Sequence, residues 1–129
     1  MKKKVLIVDD EADMRTYFES LISEAGYETM TASDGDVGYE TVQTFRPDAI
    51  TLDIIMERET GLKFYRSILK NPELKDIPVI IVSGVSSYKD LFGRDHATMP
   101  KAFAFIEKPV DPAELLATIG KAVVVKQNA

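Results

Sequence analysis

The chain has no cysteine and a single histidine, His96. Disulfides, thiolate zinc sites, iron–sulfur clusters and cysteine nucleophiles are thereby excluded, as is any multi-histidine metal centre. No apolar run approaches the ~18 residues that a bilayer-spanning helix needs. Lys2, Lys3 and Lys4 precede an apolar stretch, but that stretch (Val5 to Val8) meets Asp9 and Asp10 at once and is too short for a signal peptide. A glycine-rich phosphate loop is also missing. The first strand-to-helix turn reads Val8–Asp9–Asp10–Glu11–Ala12, which disfavours nucleotide or flavin binding. Nor is there a basic excess: 16 Lys and Arg against 21 Asp and Glu give a net charge of −5, which argues against direct nucleic-acid binding. A soluble, cytoplasmic protein is the expectation, with no membrane contact.

What remains suits one folded domain. The chain has 129 residues, 45% hydrophobic and 29% charged. Short solid apolar runs alternate with helix-period stretches. Val5–Val8 reads as a strand covered on both faces. Met14, Tyr17, Phe18, Leu21, Ile22 and Ala25 form one helix stripe that stops at Gly26. Tyr27–Ala32 reads as a second strand, and Ser33–Asp34–Gly35 caps a helix that runs to about Phe45. Arg46–Pro47–Asp48 breaks that helix. Ala49–Ile55 is a third strand, and Gly61 opens a helix that Asn71–Pro72 closes. Pro78–Val82 and Ala102–Ile106 are further strands. Asp111–Pro112 starts a final helix that runs to about Val125. The stretch 85–100 holds at most a short or irregular helix.

Strand–helix–strand units force parallel pairing and right-handed crossovers. The expected fold is therefore α/β: a three-layer, doubly wound sheet of five strands in the order 2-1-3-4-5. Ligands of such folds sit beyond the C-terminal strand ends, at the switch point between the first and third strands. Those ends carry Asp9 and Asp10, then Asp53, Ser83 with Gly84, and Lys108. Taken singly, each has a bland reading as a helix cap, a turn residue or a solvated lysine. Taken together they are a pocket. Three carboxylates in one cleft repel one another, and a hard divalent cation such as Mg²⁺ resolves that. Adding an ammonium and a hydroxyl makes a phosphoryl site, where catalysis is positioning and charge neutralisation. Asp53 is the central carboxylate and hence the candidate nucleophile.

These residues resemble the receiver domain of bacterial two-component response regulators. The likeness rests on four motifs: Val5–Glu11; Asp53–Ile54–Ile55–Met56 with Gly61; Val79–Gly84; and Phe105–Ile106–Glu107–Lys108–Pro109. It spans about Lys4 to Val125 of a chain expected to be one receiver domain, residues 1–129. The resemblance implies a flavodoxin-like receiver fold with Asp53 as phosphoacceptor, taking a phosphoryl group from a sensor histidine kinase or phosphotransfer protein. It also implies Mg²⁺ bound by Asp10, by Asp53, by the backbone carbonyl of Ile55 and, through water, by Asp9. Ser83, Gly84 and Lys108 are implied to hold phosphoryl oxygens, Phe105 to be the switch aromatic, and the bond before Pro109 to be cis. No turnover of external substrates is implied, only self-phosphorylation and slow autodephosphorylation. Output would pass to a downstream protein through the face built by the family's fourth helix, fifth strand and fifth helix, or through a homodimer.

This sequence departs from the family pattern in two places. Where the family usually has Pro four residues after the phosphoacceptor, the chain has Glu57, followed by Arg58 and Glu59. Lys101–Ala102, preceded by Pro100, replaces the usual Gly-Ala pair before the last strand, so an atypical fourth helix and an unusual partner or dimer mode are expected. His96 lies there and reads as an ordinary loop residue. Ile55 and Val85 are both apolar where the family flanks the hydrolytic water, which implies a long-lived phosphoryl state. Two other functions compete with this one. An aspartate-nucleophile phosphatase would want a second Asp at the place of Ile55. A phosphorylation-independent scaffold would not need the complete set of Asp9, Asp10, Asp53, Ser83 and Lys108.

Overall fold

The computed structural model describes residues 2–56, 58, 60–84 and 102–127. Five strands, β1 (Lys4–Val8), β2 (Glu28–Ala32), β3 (Ala49–Asp53), β4 (Val79–Ser83) and β5 (Ala104–Glu107), form one parallel sheet in the order β2-β1-β3-β4-β5. Among the described residues, three helices lie between successive strands: α1 (Ala12–Glu24), α2 (Gly35–Phe45) and α3 (Thr60–Lys70). A C-terminal helix, Pro112–Gln127, follows the last strand. None of the described helices is long and apolar enough to cross a membrane. The expected irregular helix over 85–100, with Val85, His96 and Pro100, lies outside the described residues, as do Glu57, Glu59 and Lys101.

The solid apolar runs are explained by burial on two faces. Along β1, Leu6 and Val8 join a core with Val42, Ile50, Leu52, Phe64, Ile68 and Ile81, beneath α2 and α3. Val5 and Ile7 point the other way, into a core with Phe18, Ile22, Ile80, Val82, Leu115 and Ile119, beneath α1 and the C-terminal helix. Alternation along a pleated strand feeds both cores at once, so neither face can be polar. Each fully buried Leu or Ile contributes roughly 1.5–3 kcal/mol.

The punctuation signals act as read. Asp34 caps α2 by accepting from the Val37 amide at 2.9 Å. Arg46 ends α2 in the left-handed region (φ 54°), and Gly26 turns the chain after α1 with φ 103°. Asp111 Oδ1 accepts from the Ala113 amide at 3.0 Å at the start of the C-terminal helix. Two strand limits differ from the apolar pattern by two residues, and the others by at most one. β3 stops at Asp53, whose register partner is Val82, rather than running to Ile55. There the Ile55 amide turns back to Asp53 Oδ1 (3.1 Å) and leaves the ladder. β5 begins at Ala104, although the Phe103 amide already donates to the Val79 carbonyl at 2.9 Å.

Candidate functional site

Register fixes which strand ends meet. Val8 pairs with Leu52, Asp53 with Val82, and Ser83 with Glu107, so the residue after each pairing emerges at one edge of the sheet. Asp9 follows Val8 and is almost fully buried. Its amide donates to the Ala32 carbonyl at 3.1 Å, its Oδ1 accepts from the Glu11 amide at 2.9 Å, and its carbonyl accepts from Arg15 Nη1 at 2.8 Å. Asp53 closes β3, also buried. Lys108 follows β5, at the cis Lys108–Pro109 peptide, with its own amide bonded to the Ser83 carbonyl at 2.8 Å.

These placements bring the charges together. Lys108 Nζ lies 3.2 Å from Asp53 Oδ2, 3.8 Å from Glu11 Oε1 and 3.9 Å from Asp9 Oδ2. One carboxylate oxygen each from Asp9, Asp10, Glu11 and Asp53 falls within a 4.8 Å group. Burial pushes the Asp53 carboxyl up to about 6; the Lys108 ammonium pulls against that, and the neighbouring Asp9 adds to it. Burial likewise raises Asp9, opposed by the Glu11 amide and by Lys108. Burial works against the charge on Lys108 as well, but the carboxylates of Asp53 and Asp9 outweigh it and hold the ammonium above its ordinary range. The pocket is thus short of positive charge. Asp9 Oδ2 is buried with no hydrogen-bond partner, though Lys108 stands 3.9 Å away. Oxygen-only donors, an orphaned carboxylate oxygen and excess negative charge fit a hard divalent cation, with Asp9, Asp10 and Asp53 as the residues to hold it.

Apart from Phe105, which lies inside β5, the expected site residues among those described lie at this edge. Ser83 ends β4 fully buried, one residue past the register partner of Asp53. Gly84 follows it and is exposed. Ile55, whose amide donates to Asp53 Oδ1 at 3.1 Å, stands 56% exposed. Phe105 pairs in register with Ile81 and is half-buried against the core beneath α3. Glu11 had been assigned no role, yet it is part of the acidic group and touches Lys108. Its place directly after Asp9–Asp10 was the available signal.

A switch-point pocket of this chemistry on a 2-1-3-4-5 sheet defines a flavodoxin-like receiver fold. The response regulator receiver domain model matches residues 5–120, and the chain belongs to that family. It is 30% identical over 123 residues to the protein Rrf1 of Nitratidesulfovibrio vulgaris, covering 95% of this chain and 84% of that protein. It is 32% identical over 123 residues to the chemotaxis protein CheY of Thermotoga maritima, covering 94% and 98%. The solved structure of the chemotaxis response regulator CheY4 of Vibrio cholerae superposes with a TM-score of 0.82 at 28% identity, over 95% of this chain and 99% of that one. The chain spans about half the length (47%) of other curated relatives that it matches. It is thus a receiver of the CheY-like response regulators, the class that serves two-component signalling.

Proposed function

We propose that Asp53 is the phosphoacceptor of a Mg²⁺-dependent switch charged by the phosphohistidine of a sensor kinase or phosphotransfer protein. In the transfer, an Asp53 carboxylate oxygen forms the new O–P bond. The P–N bond breaks, and its electron pair stays on the donor imidazole. The observation that carries this reading is the position of Asp53: buried, 3.2 Å from Lys108 Nζ, and among the carboxylates of Asp9, Asp10 and Glu11. Lys108, 3.2 Å from Asp53 Oδ2, is assigned one phosphoryl oxygen. Ser83 and Gly84, at the adjoining strand end, are assigned another. Asp9, Asp10, Asp53 and the Ile55 carbonyl are assigned to the cation. When bound, Mg²⁺ would neutralise charge on the phosphoryl oxygens.

Phosphorylation adds roughly −1.5 to −2 charges and three acceptors to a pocket that holds Lys108 ready. The equilibrium between two surface states shifts only by what the phosphorylated form gains. A 100-fold shift needs about 2.7 kcal/mol, which one or two charge-assisted hydrogen bonds can supply. Phe105, half-buried on β5, is assigned the relay to the surface. The downstream partner is a protein or a second copy of the chain; turnover of external substrates is no part of this reading.

The test is Mg²⁺-dependent labelling by acetyl phosphate, followed by intact mass. Labelling is expected in the wild type and absent in Asp53→Ala. A wild type that stays unmodified with any acyl phosphate or phosphorylated kinase overturns the reading. A second expectation concerns lifetime. Ile55 cannot orient a hydrolytic water, so Ile55→Asn should shorten the phosphoryl half-life roughly tenfold, a small share of what positioned polar groups contribute elsewhere. Equal phosphate release from both proteins would count against it.

A further inference from the structure

Beside Asp10 opens a cleft of about 260 Å³ lined by Asp10, Ser33, Asp34, Met56, Arg58 and Thr60. Its walls come from the loops after β1, β2 and β3. Two carboxylates and one guanidinium line it. Asp34 is already engaged as the α2 cap through its Oδ1, and the Thr60 hydroxyl is buried without a hydrogen-bond partner. Arg58 is exposed and, among the described residues, has no hydrogen-bond or ion-pair partner. The residues flanking it in sequence, Glu57 and Glu59, lie outside the described residues. Its backbone adopts φ 58°, a left-handed conformation that is costly for a residue with a Cβ. An arginine is thus held in an unfavourable conformation, in a cleft shared with a carboxylate assigned to the metal.

We infer that Arg58 is a built-in electrostatic brake on divalent-cation binding at Asp10, setting how much Mg²⁺ the switch requires. The inference rests on the metal site proposed above. Like charges repel through space without contact, and a divalent ion feels a fixed cation twice as strongly as a monovalent ion does. Arg58 lines the cleft that opens on Asp10, and its positive charge opposes the arriving ion. The carboxylates of Asp9, Glu11 and Asp53 attract that ion, and Lys108, in contact with all three, opposes it as Arg58 does. Arg58 therefore lowers affinity through its charge, without being a ligand.

The test is a charge series at a constant backbone, Arg58→Lys, Arg58→Gln and Arg58→Glu, with Mg²⁺ affinity measured by titration calorimetry on the unphosphorylated protein. Arg58→Lys should bind within twofold of wild type. Arg58→Gln should bind about threefold to tenfold more tightly, and Arg58→Glu about tenfold to a hundredfold more tightly. Raising the salt to about 1 M, where the screening length falls to ~3 Å, should bring all four proteins within roughly twofold. A purely conformational role for the left-handed residue would not follow charge or fade with salt. Affinities that are equal across the series at low salt, or that move in the opposite direction, overturn the inference alone. A wild type that binds no Mg²⁺ overturns both the inference and the metal site on which it rests.

Discussion

In the presence of a chelator at pH 8, Asp53→Asn should raise the midpoint of thermal unfolding by about 10 °C, and the gain should shrink as the pH falls toward 4. Burial holds the Asp53 carboxyl at about 6, against 3.8 for an unhindered aspartate. A raised acid binds its proton more tightly in the folded chain. Its stabilising contribution is therefore complete below pH ~4 and is lost as the pH rises through 6. Above that, the wild type carries a buried charge that Lys108 only partly offsets. A shift of about two units corresponds to roughly 2–3 kcal/mol. The asparagine variant never carries that charge. Asp9, also raised, titrates in both proteins and so contributes little to the difference. Mg²⁺ should narrow or reverse the gap, because it stabilises the wild type in preference to the variant. Melting curves across pH, with and without Mg²⁺, decide the matter. A variant no more stable than wild type at pH 8, or a difference that ignores pH, would show that the pocket does not strain its central carboxylate.

The second large effect concerns two glycines that let the loops approach one another. A Cβ on Gly35 would stand 1.9 Å from the Thr60 carbonyl oxygen; one on Gly61 would stand 2.6 Å from the Ile54 carbonyl oxygen and 2.8 Å from that of Asp53. These obstacles are backbone atoms, which cannot swing aside as a side-chain tip can. Gly35→Ala and Gly61→Ala should each cost about 3 kcal/mol, at the upper end of overpacking effects, and lower the melting midpoint by about 10 °C. Only Gly61→Ala pushes directly on the peptide of Asp53, the proposed phosphoacceptor. It should therefore also slow acetyl-phosphate labelling tenfold or more, since small misplacements of reacting groups are costly. Gly120 is the control. A Cβ there meets nothing closer than Tyr27 Oη at 3.9 Å, inside a helix, so Gly120→Ala should be neutral or stabilise by up to about 1 kcal/mol. Equal melting curves for all three variants would refute the steric account.

Much of this architecture is legible in the residues because several levels agree. The solid runs Val5–Val8 and Val79–Val82 cannot sit on a one-sided sheet. The capping residues Asp34 and Asp111 mark their helices by a local hydrogen bond. The site was readable because a parallel sheet places Asp9, Asp53, Ser83 and Lys108 at one edge whatever their distance along the chain. Other features were not readable, for physical reasons. That β3 ends at Asp53 depends on where its partner Val82 stops pairing, which no local propensity encodes. Glu11 carried no role of its own in the sequence, and only the position of Lys108 Nζ gives its carboxylate a partner. The tight seam between Gly35 and Thr60 is a tertiary approach between the first turns of α2 and α3, invisible to periodicity. The charged loop at Arg58 was conspicuous as a departure from the family's proline, but its cleft with Asp10 and Asp34 emerges only once three loops are folded together.

The ladder registers of β1, β3, β4 and β5 carry a mechanical implication. Slipping any of these strands by one residue would swap its two faces, so the sheet cannot slide to transmit a signal. It behaves as an anvil: a rigid block whose rim carries the connectors that hold Asp9, Asp10, Ile55 and Arg58. Substitutions in those connectors can therefore reshape the rim while the anvil itself stays unaltered.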